Sequence, residues 1–171
     1  MNSQTKIAIL VEDHYEELEL WYPYHRLREA GYEPLIVGPE VKTYTGKSGS
    51  YPAEADVAVD QVKTVDLGGV IVPGGYAPDR LRRHPAMVDL VRQMNLDAKL
   101  VAAICHAGWL LISAGFLAGR KVTSFESIRD DMINAGAEWE DSAVVMDANL
   151  VTSRHPGDLP NFMKAILEQL A

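Results

Sequence analysis

A single cysteine, Cys105, sits in the run Ala103-Ile104-Cys105-His106-Ala107-Gly108. Residues 99–105 form the most apolar strand-like stretch of the chain, and residues 107–114 have the spacing of a helix. The thiol therefore falls on a strand-to-helix turn, with alanines two positions before and after it. This is the pattern of a nucleophile elbow, in which a tight turn tolerates little bulk beside the reactive atom. A sulfur at a helix N-terminus meets the dipole and free N–H groups, so the pattern predicts a pKa below that of a free thiol. Composition alone reads a lone cysteine as a buried, inert side chain; elbow spacing and strand-end position outweigh that reading. His106 adjoins the nucleophile and points elsewhere on the turn. It is either a base towards substrate or water, or only a shaper of the turn.

In open α/β sheets ligands bind outside the carboxyl ends of the strands, and two further strand ends carry chemistry. Pro73-Gly74-Gly75 closes the segment 69–72, and its glycines let backbone N–H groups approach a reacting atom, as an oxyanion hole requires. An ordinary turn explains Gly-Gly equally well; its value comes from sharing a sheet edge with Cys105. The first strand leads into Glu16, Glu17 and Glu19. Acidic residues in a first helical turn commonly answer the macrodipole, which accounts for Glu17. Glu16 and Glu19 lie three apart and share a face. A carboxyl buried beside the sulfur has a raised pKa and can donate its proton to a thiolate.

The elements that must position these groups alternate between strand and helix. Strands are expected at residues 6–11, 32–37, 69–72, 99–105 and 121–124, and helices at 16–30, 85–94, 107–114, 127–135 and 158–170. Residues 41–59 read as a small antiparallel excursion, and 143–146 with 150–153 as a hairpin around Asp147-Ala148-Asn149. Asp158 is placed to cap the last helix. Such alternation implies a three-layer α/β sandwich, a mostly parallel sheet with helices on both faces. No linker or repeat divides it, so residues 1–171 form one domain.

The chain has 171 residues, 47% hydrophobic and 23% charged, enough to build a full core without staples. Its 16 basic and 24 acidic residues leave a net charge of −8, which repels a phosphate backbone and argues against a nucleic-acid partner. The longest mainly apolar stretch, residues 104–119, contains His106 and is too short to span a membrane. One cysteine and no export signal point to a reducing cytoplasm. His14, His25, His84 and His155 lack metal-ligand spacing, so no metal is expected. Neither GxGxxG nor GxxxxGK[ST] occurs, and no cofactor is expected.

A set of motifs spread over the whole chain, in order, carries a resemblance. They are Glu16-Glu17-Leu18-Glu19, Tyr22-Pro23-Tyr24-His25-Arg26-Leu27, Val72-Pro73-Gly74-Gly75-Tyr76-Ala77-Pro78-Asp79 and Ile104-Cys105-His106. Further along stand Leu111-Ile112-Ser113-Ala114-Gly115, Asp130-Asp131, Asn134, Gly136, Glu138-Trp139 and Thr152-Ser153-Arg154. The sequence resembles the PfpI-type intracellular protease family, within the class I glutamine amidotransferase-like superfamily. The resemblance implies a flavodoxin-like sandwich that forms homodimers, often assembled into hexamers. It implies a nucleophile at Cys105 beside His106, a carboxylate near the sulfur at Glu16 with Glu19 one turn on, and backbone oxyanion donors at Gly75 and His106. It also implies that Asp79 is the acid a neighbouring subunit offers to His106. Where the family commonly has Gly-Pro-Gln after Cys-His, this chain has Ala107-Gly108-Trp109, which sets a large side chain near the pocket. Phe125 replaces a frequent Tyr, and Asp79 is one methylene shorter than the usual Glu.

Three functions remain compatible with an accessible thiol of this kind. The favoured one is glyoxalase- or deglycase-like attack on a reactive aldehyde or its early adduct. The others are peptide hydrolysis through an acyl-thioenzyme, and a redox-sensing or chaperone-like stress protein whose cysteine oxidises without turnover. The first helix adds an expectation about assembly. Trp21 and Tyr24 can share a face while Leu20 and Leu27 pack on the sheet, so the aromatic face predicts at least a dimer unless a loop covers it.

Overall fold

Aliphatic runs with no polar side must be buried on both faces, and they form the centre of the sheet. The computed structural model describes residues 5–171. In chain order the first half comprises β1 (Lys6–Leu10), α1 (Glu17–Glu29), β2 (Glu33–Gly38), β3 (Thr43–Tyr44), β4 (Ala53–Glu54), β5 (Val57–Ala58), β6 (Leu67–Val72), α2 (Ala77–Leu81) and α3 (Pro85–Leu96). The second half comprises β7 (Leu100–Ile104), α4 (Gly108–Ala114), β8 (Lys121–Val122), α5 (Arg129–Asn134), β9 (Glu138–Trp139), β10 (Val144–Asp147), β11 (Leu150–Ser153) and α6 (Leu159–Leu170). The main sheet has seven strands in the order β10-β11-β7-β6-β1-β2-β5. Every pairing in it is parallel except the hairpin β10–β11. Helices α1 and α6 pack together on one face, and α3 and α4 on the other. This is the three-layer sandwich expected from the alternation, in the flavodoxin-like form that the resemblance implies.

Packing follows from the side-chain pattern. All five residues of β7 are buried, as are Ile7, Ala8, Ile9 and Leu10 of β1, since both strands lie inside the sheet. In α1 the buried residues are Glu19, Leu20, Pro23 and Leu27. Pro23 lacks an N–H and leaves the Glu19 carbonyl without its helical donor.

Several expectations need correction. The excursion over residues 41–59 contains an antiparallel pair, β3–β4, but β5 leaves it to pair parallel with β2 as the sheet edge. The strand expected at 121–124 is shorter and joins β9 outside the main sheet. The five-residue α2 was not foreseen, being too short for a period to register. Asp158 makes no side-chain cap for α6. Its carboxylate instead accepts from Arg154, with Nε at 2.8 Å and Nη2 at 3.1 Å, and an ion pair outcompetes a neutral N–H.

Candidate active site

Strand β7 stops at Ile104, and a 3₁₀ turn, Cys105–Ala107, leads into α4. Cys105 turns the chain with φ +63°, a left-handed conformation that a non-glycine residue holds only under tertiary constraint. Phe125 supplies part of that constraint by donating its N–H to the Cys105 carbonyl at 3.1 Å. Beside the elbow, β6 ends in Gly74 and Gly75. Gly75 has φ +74°, and a Cβ on Gly74 would lie 2.6 Å from both Cys105 Cβ and Glu19 Oε2. The missing side chain at position 74 is what lets the thiol and the Glu19 carboxyl lie against the same turn. The segment before α1 joins this edge: Glu16 N–H donates to Gly74 O at 3.2 Å, and Tyr76 N–H donates to His14 O at 2.8 Å.

Glu19 has no exposed surface. Its Oε2 accepts the Gly74 N–H at 2.7 Å, and its Oε1 has no partner apart from the neighbouring thiol. Burial pushes Glu19 up to about 8, so the carboxyl keeps its proton at neutral pH. Burial also pushes the Cys105 thiol up to about 12, and a charged Glu19 adds to the rise. The N–H groups of Gly75 and His106, hydrogen-bonded to the sulfur, and the Lys47 ammonium oppose it. The two acids behave as one unit. The first proton leaves the pair near pH 8, and the second is held by the charge already there. A Cys105 pKa below the free-thiol value is therefore overturned. The helix behind the turn has only seven residues, and desolvation outweighs its dipole.

His106 is half-buried and reaches the sulfur after all, with Nδ1 3.2 Å from Sγ. Burial, with Lys47 adding to it, lowers its pKa, so the ring is neutral at pH 7. Phe125 stacks on the ring with centroids 5.1 Å apart. Above the thiol opens a cavity of about 380 Å³, walled by Cys105, His106, Glu16, Lys47, Phe125 and His155. Lys47 forms an ion pair with Glu16. Its loop is pinned by the Lys47 N–H to Tyr15 O at 2.9 Å and by Ser48 N–H to Glu17 Oε1 at 2.9 Å.

Residues 5–169 match the DJ-1/PfpI family. The chain belongs to that family. Its sequence is 47% identical to Deglycase PfpI of Pyrococcus furiosus over 165 residues, covering 96% of this chain and 99% of that protein. It is 40% identical to Protein/nucleic acid deglycase 2 of Escherichia coli, covering 96% and 97% of the two chains. Its fold superposes on Drosophila melanogaster DJ-1beta with a TM-score of 0.91 at 28% identity, over 99% of this chain and 91% of that one.

Within this DJ-1/PfpI chain the expected residues fall in different places. Cys105, His106, Gly74, Gly75, Glu16 and Glu19 converge on the β6–β7 edge. Their order differs from the expectation: Glu19 lies under the thiol, and Glu16 stands at the cavity wall paired with Lys47. The Gly74 N–H is taken by Glu19, so the N–H groups aimed at the sulfur are those of Gly75 and His106. Trp109 backs the His106 ring edge-on at 5.2 Å, and its Nε1 donates to Asp131 Oδ2 at 2.8 Å. It lines a separate concavity with Asp79, Arg82 and Asp131, away from the cavity over Cys105. Asp79 is exposed and faces that concavity, not the His106 of its own chain. Lys47, Ser127 and His155 were not singled out for this site: Lys47 and His155 arrive from loops that no periodicity announces, and Ser127 opens the helix expected at 127–135, where helical spacing gives no sign of its contact with His106.

Proposed function

We propose that this chain is a cysteine-dependent deglycase acting on reactive α-oxoaldehydes and their early adducts. One observation carries the reading: a buried, protonated carboxyl and an imidazole nitrogen 3.2 Å away both face one thiol at the floor of a small cavity. A cavity of about 380 Å³ suits a small carbonyl better than an extended peptide. The Cys105 proton passes to His106 Nδ1, breaking S–H and forming N–H. The sulfur lone pair bonds to the aldehyde carbon, and the C=O π pair moves to oxygen, which takes the proton back. The oxygen forms beside the Gly75 and His106 N–H groups, and Glu19 donates to sulfur whenever it carries charge. The carbon bearing sulfur then gives its proton to the neighbouring carbonyl carbon while the hemithioacetal hydroxyl gives its proton to that carbonyl's oxygen; the product is a thioester with a new C–OH beside it, which water opens to a hydroxy acid and free thiol.

The aromatic face of α1 supports a homodimer. Trp21 and Tyr24 meet edge-to-face at 5.3 Å and stay half-exposed, while Tyr51 covers one side of Trp21 at 5.0 Å. Asp79 stands clear of its own histidine and is available to another copy. The acidic balance disfavours docking on a nucleic-acid backbone, but it does not bear on a glycated base presented as a small adduct. Among the described residues no helix is long and apolar enough to cross a membrane, and a cytoplasmic site of action fits the single free thiol. The test is lactate formation from methylglyoxal, wild type beside Cys105→Ala. Lactate from the wild type alone supports the reading, and equal rates from both proteins overturn it.

A further inference from the structure

His106 has both ring nitrogens engaged within one chain. Nδ1 lies 3.2 Å from Cys105 Sγ, and Nε2 lies 3.1 Å from the hydroxyl oxygen of Ser127. Phe125 stacks on the ring at an interplanar angle of 23°, and Trp109 closes its edge. Ser127 belongs to the 3₁₀ turn Glu126–Ile128 ahead of α5, and its side chain is exposed. The other charged or titratable groups around the ring are Lys47 from the 45–52 loop and Glu16 and His155 from the cavity wall. Among the described residues no carboxylate of the same chain pairs with either nitrogen.

We propose that Ser127 is a positioning residue for His106, holding from within the same chain the ring that faces Cys105. The inference rests on Cys105 being the nucleophile of the proposed reaction. A neutral imidazole carries one N–H. With Ser127 Oγ accepting from Nε2–H, the remaining lone pair sits on Nδ1, where it meets the thiol proton. When that proton transfers, S–H breaks and Nδ1–H forms, and the Nε2–H···Oγ bond becomes charge-assisted and stronger. The hydroxyl selects the productive tautomer before the transfer and steadies the imidazolium after it.

The experiment compares Ser127→Ala and Ser127→Thr with wild type, reading methylglyoxal turnover and the pH profile of iodoacetamide alkylation at Cys105. The Ala variant should lower kcat roughly tenfold with KM nearly unchanged, about the worth of one hydrogen bond. Its alkylation profile should move to higher pH, because a weaker base yields less thiolate. Its unfolding midpoint should not move, since the side chain is exposed. Thr keeps the hydroxyl and should restore both readouts. An Ala variant with wild-type kcat and profile would overturn the proposal, as would a Thr variant no better than Ala. A shifted Ala profile, restored by Thr, in a protein without aldehyde turnover would sink the deglycase reading and leave the Ser127 assignment standing.

Discussion

Replacing Glu19 by Gln should make this protein more stable in base while disarming its site. The carboxyl titrates near 8 in the fold against 4.5 in the free chain, a difference worth about 4–5 kcal/mol at 1.36 kcal/mol per unit. Because the folded value is raised, the associated stability is fully present below pH 4.5 and is lost as pH rises through 8. Gln keeps an oxygen to accept the Gly74 N–H and has no charge to bury. Relative to wild type, Glu19→Gln should therefore gain about 4 kcal/mol between pH 5 and pH 9. That is a large part of the roughly 5–15 kcal/mol that holds an ordinary domain together. Urea unfolding of both proteins at pH 5, 7 and 9 reads the effect directly, with slopes compared to confirm that the same surface is exposed. The same preparations should lose methylglyoxal turnover. If the stability difference stays constant from pH 5 to pH 9, Glu19 is not a buried acid with a raised pKa, and the account of the thiol pair fails with it.

Alkylation of Cys105 should keep rising with pH well beyond 8, because burial and the charged Glu19 hold the thiol up to about 12; a midpoint below that of a free thiol would restore the dipole-activated thiol that the sequence suggested. Gly74→Ala must push a methyl to 2.6 Å from Cys105 Cβ, so it should cost on the order of 1–3 kcal/mol by overpacking and abolish turnover, measured by thermal unfolding and lactate release. Glu17→Gln loosens the clamp on Ser48 and should slow thiol alkylation only slightly, because Lys47 keeps its pairing with Glu16. Light scattering at micromolar concentration should give at least twice the chain mass, and a single-chain mass would remove the dimer and any role for Asp79 in a neighbouring site.

The sequence revealed most where burial is two-sided. Residues 99–105 and 69–72 are apolar without alternation, and they became the central strands β7 and β6. It was weakest where a pairing depends on atoms far apart in the chain. β5 is two residues long and is defined by its register with Val37 and Gly38, which no local pattern encodes. Lys47 and Ser127 reach the site because Tyr15 and Phe125 tie their loops to the sheet edge, through contacts 32 and 20 positions apart in the numbering.

The exchange of roles between Glu16 and Glu19 shows where helical periodicity stops being informative. Spacing by three puts both carboxyls on one face, so an angle cannot separate them. Depth does. Glu16 is the residue before α1, with extended backbone at φ −76° and ψ 116°, and its side chain stays near enough to solvent to meet Lys47. Glu19 lies one turn further along, above Pro23 and Leu27 on the buried stripe and under a glycine whose missing Cβ admits it. The protein thus keeps an acid where burial penalises its charge, and the penalty is what holds a proton against the sulfur at neutral pH. The carboxyl of Glu16 is instead engaged by Lys47 at the cavity wall and does not lie under the sulfur. The costly position is the one the chemistry requires, and stability in base is what the fold gives up for it.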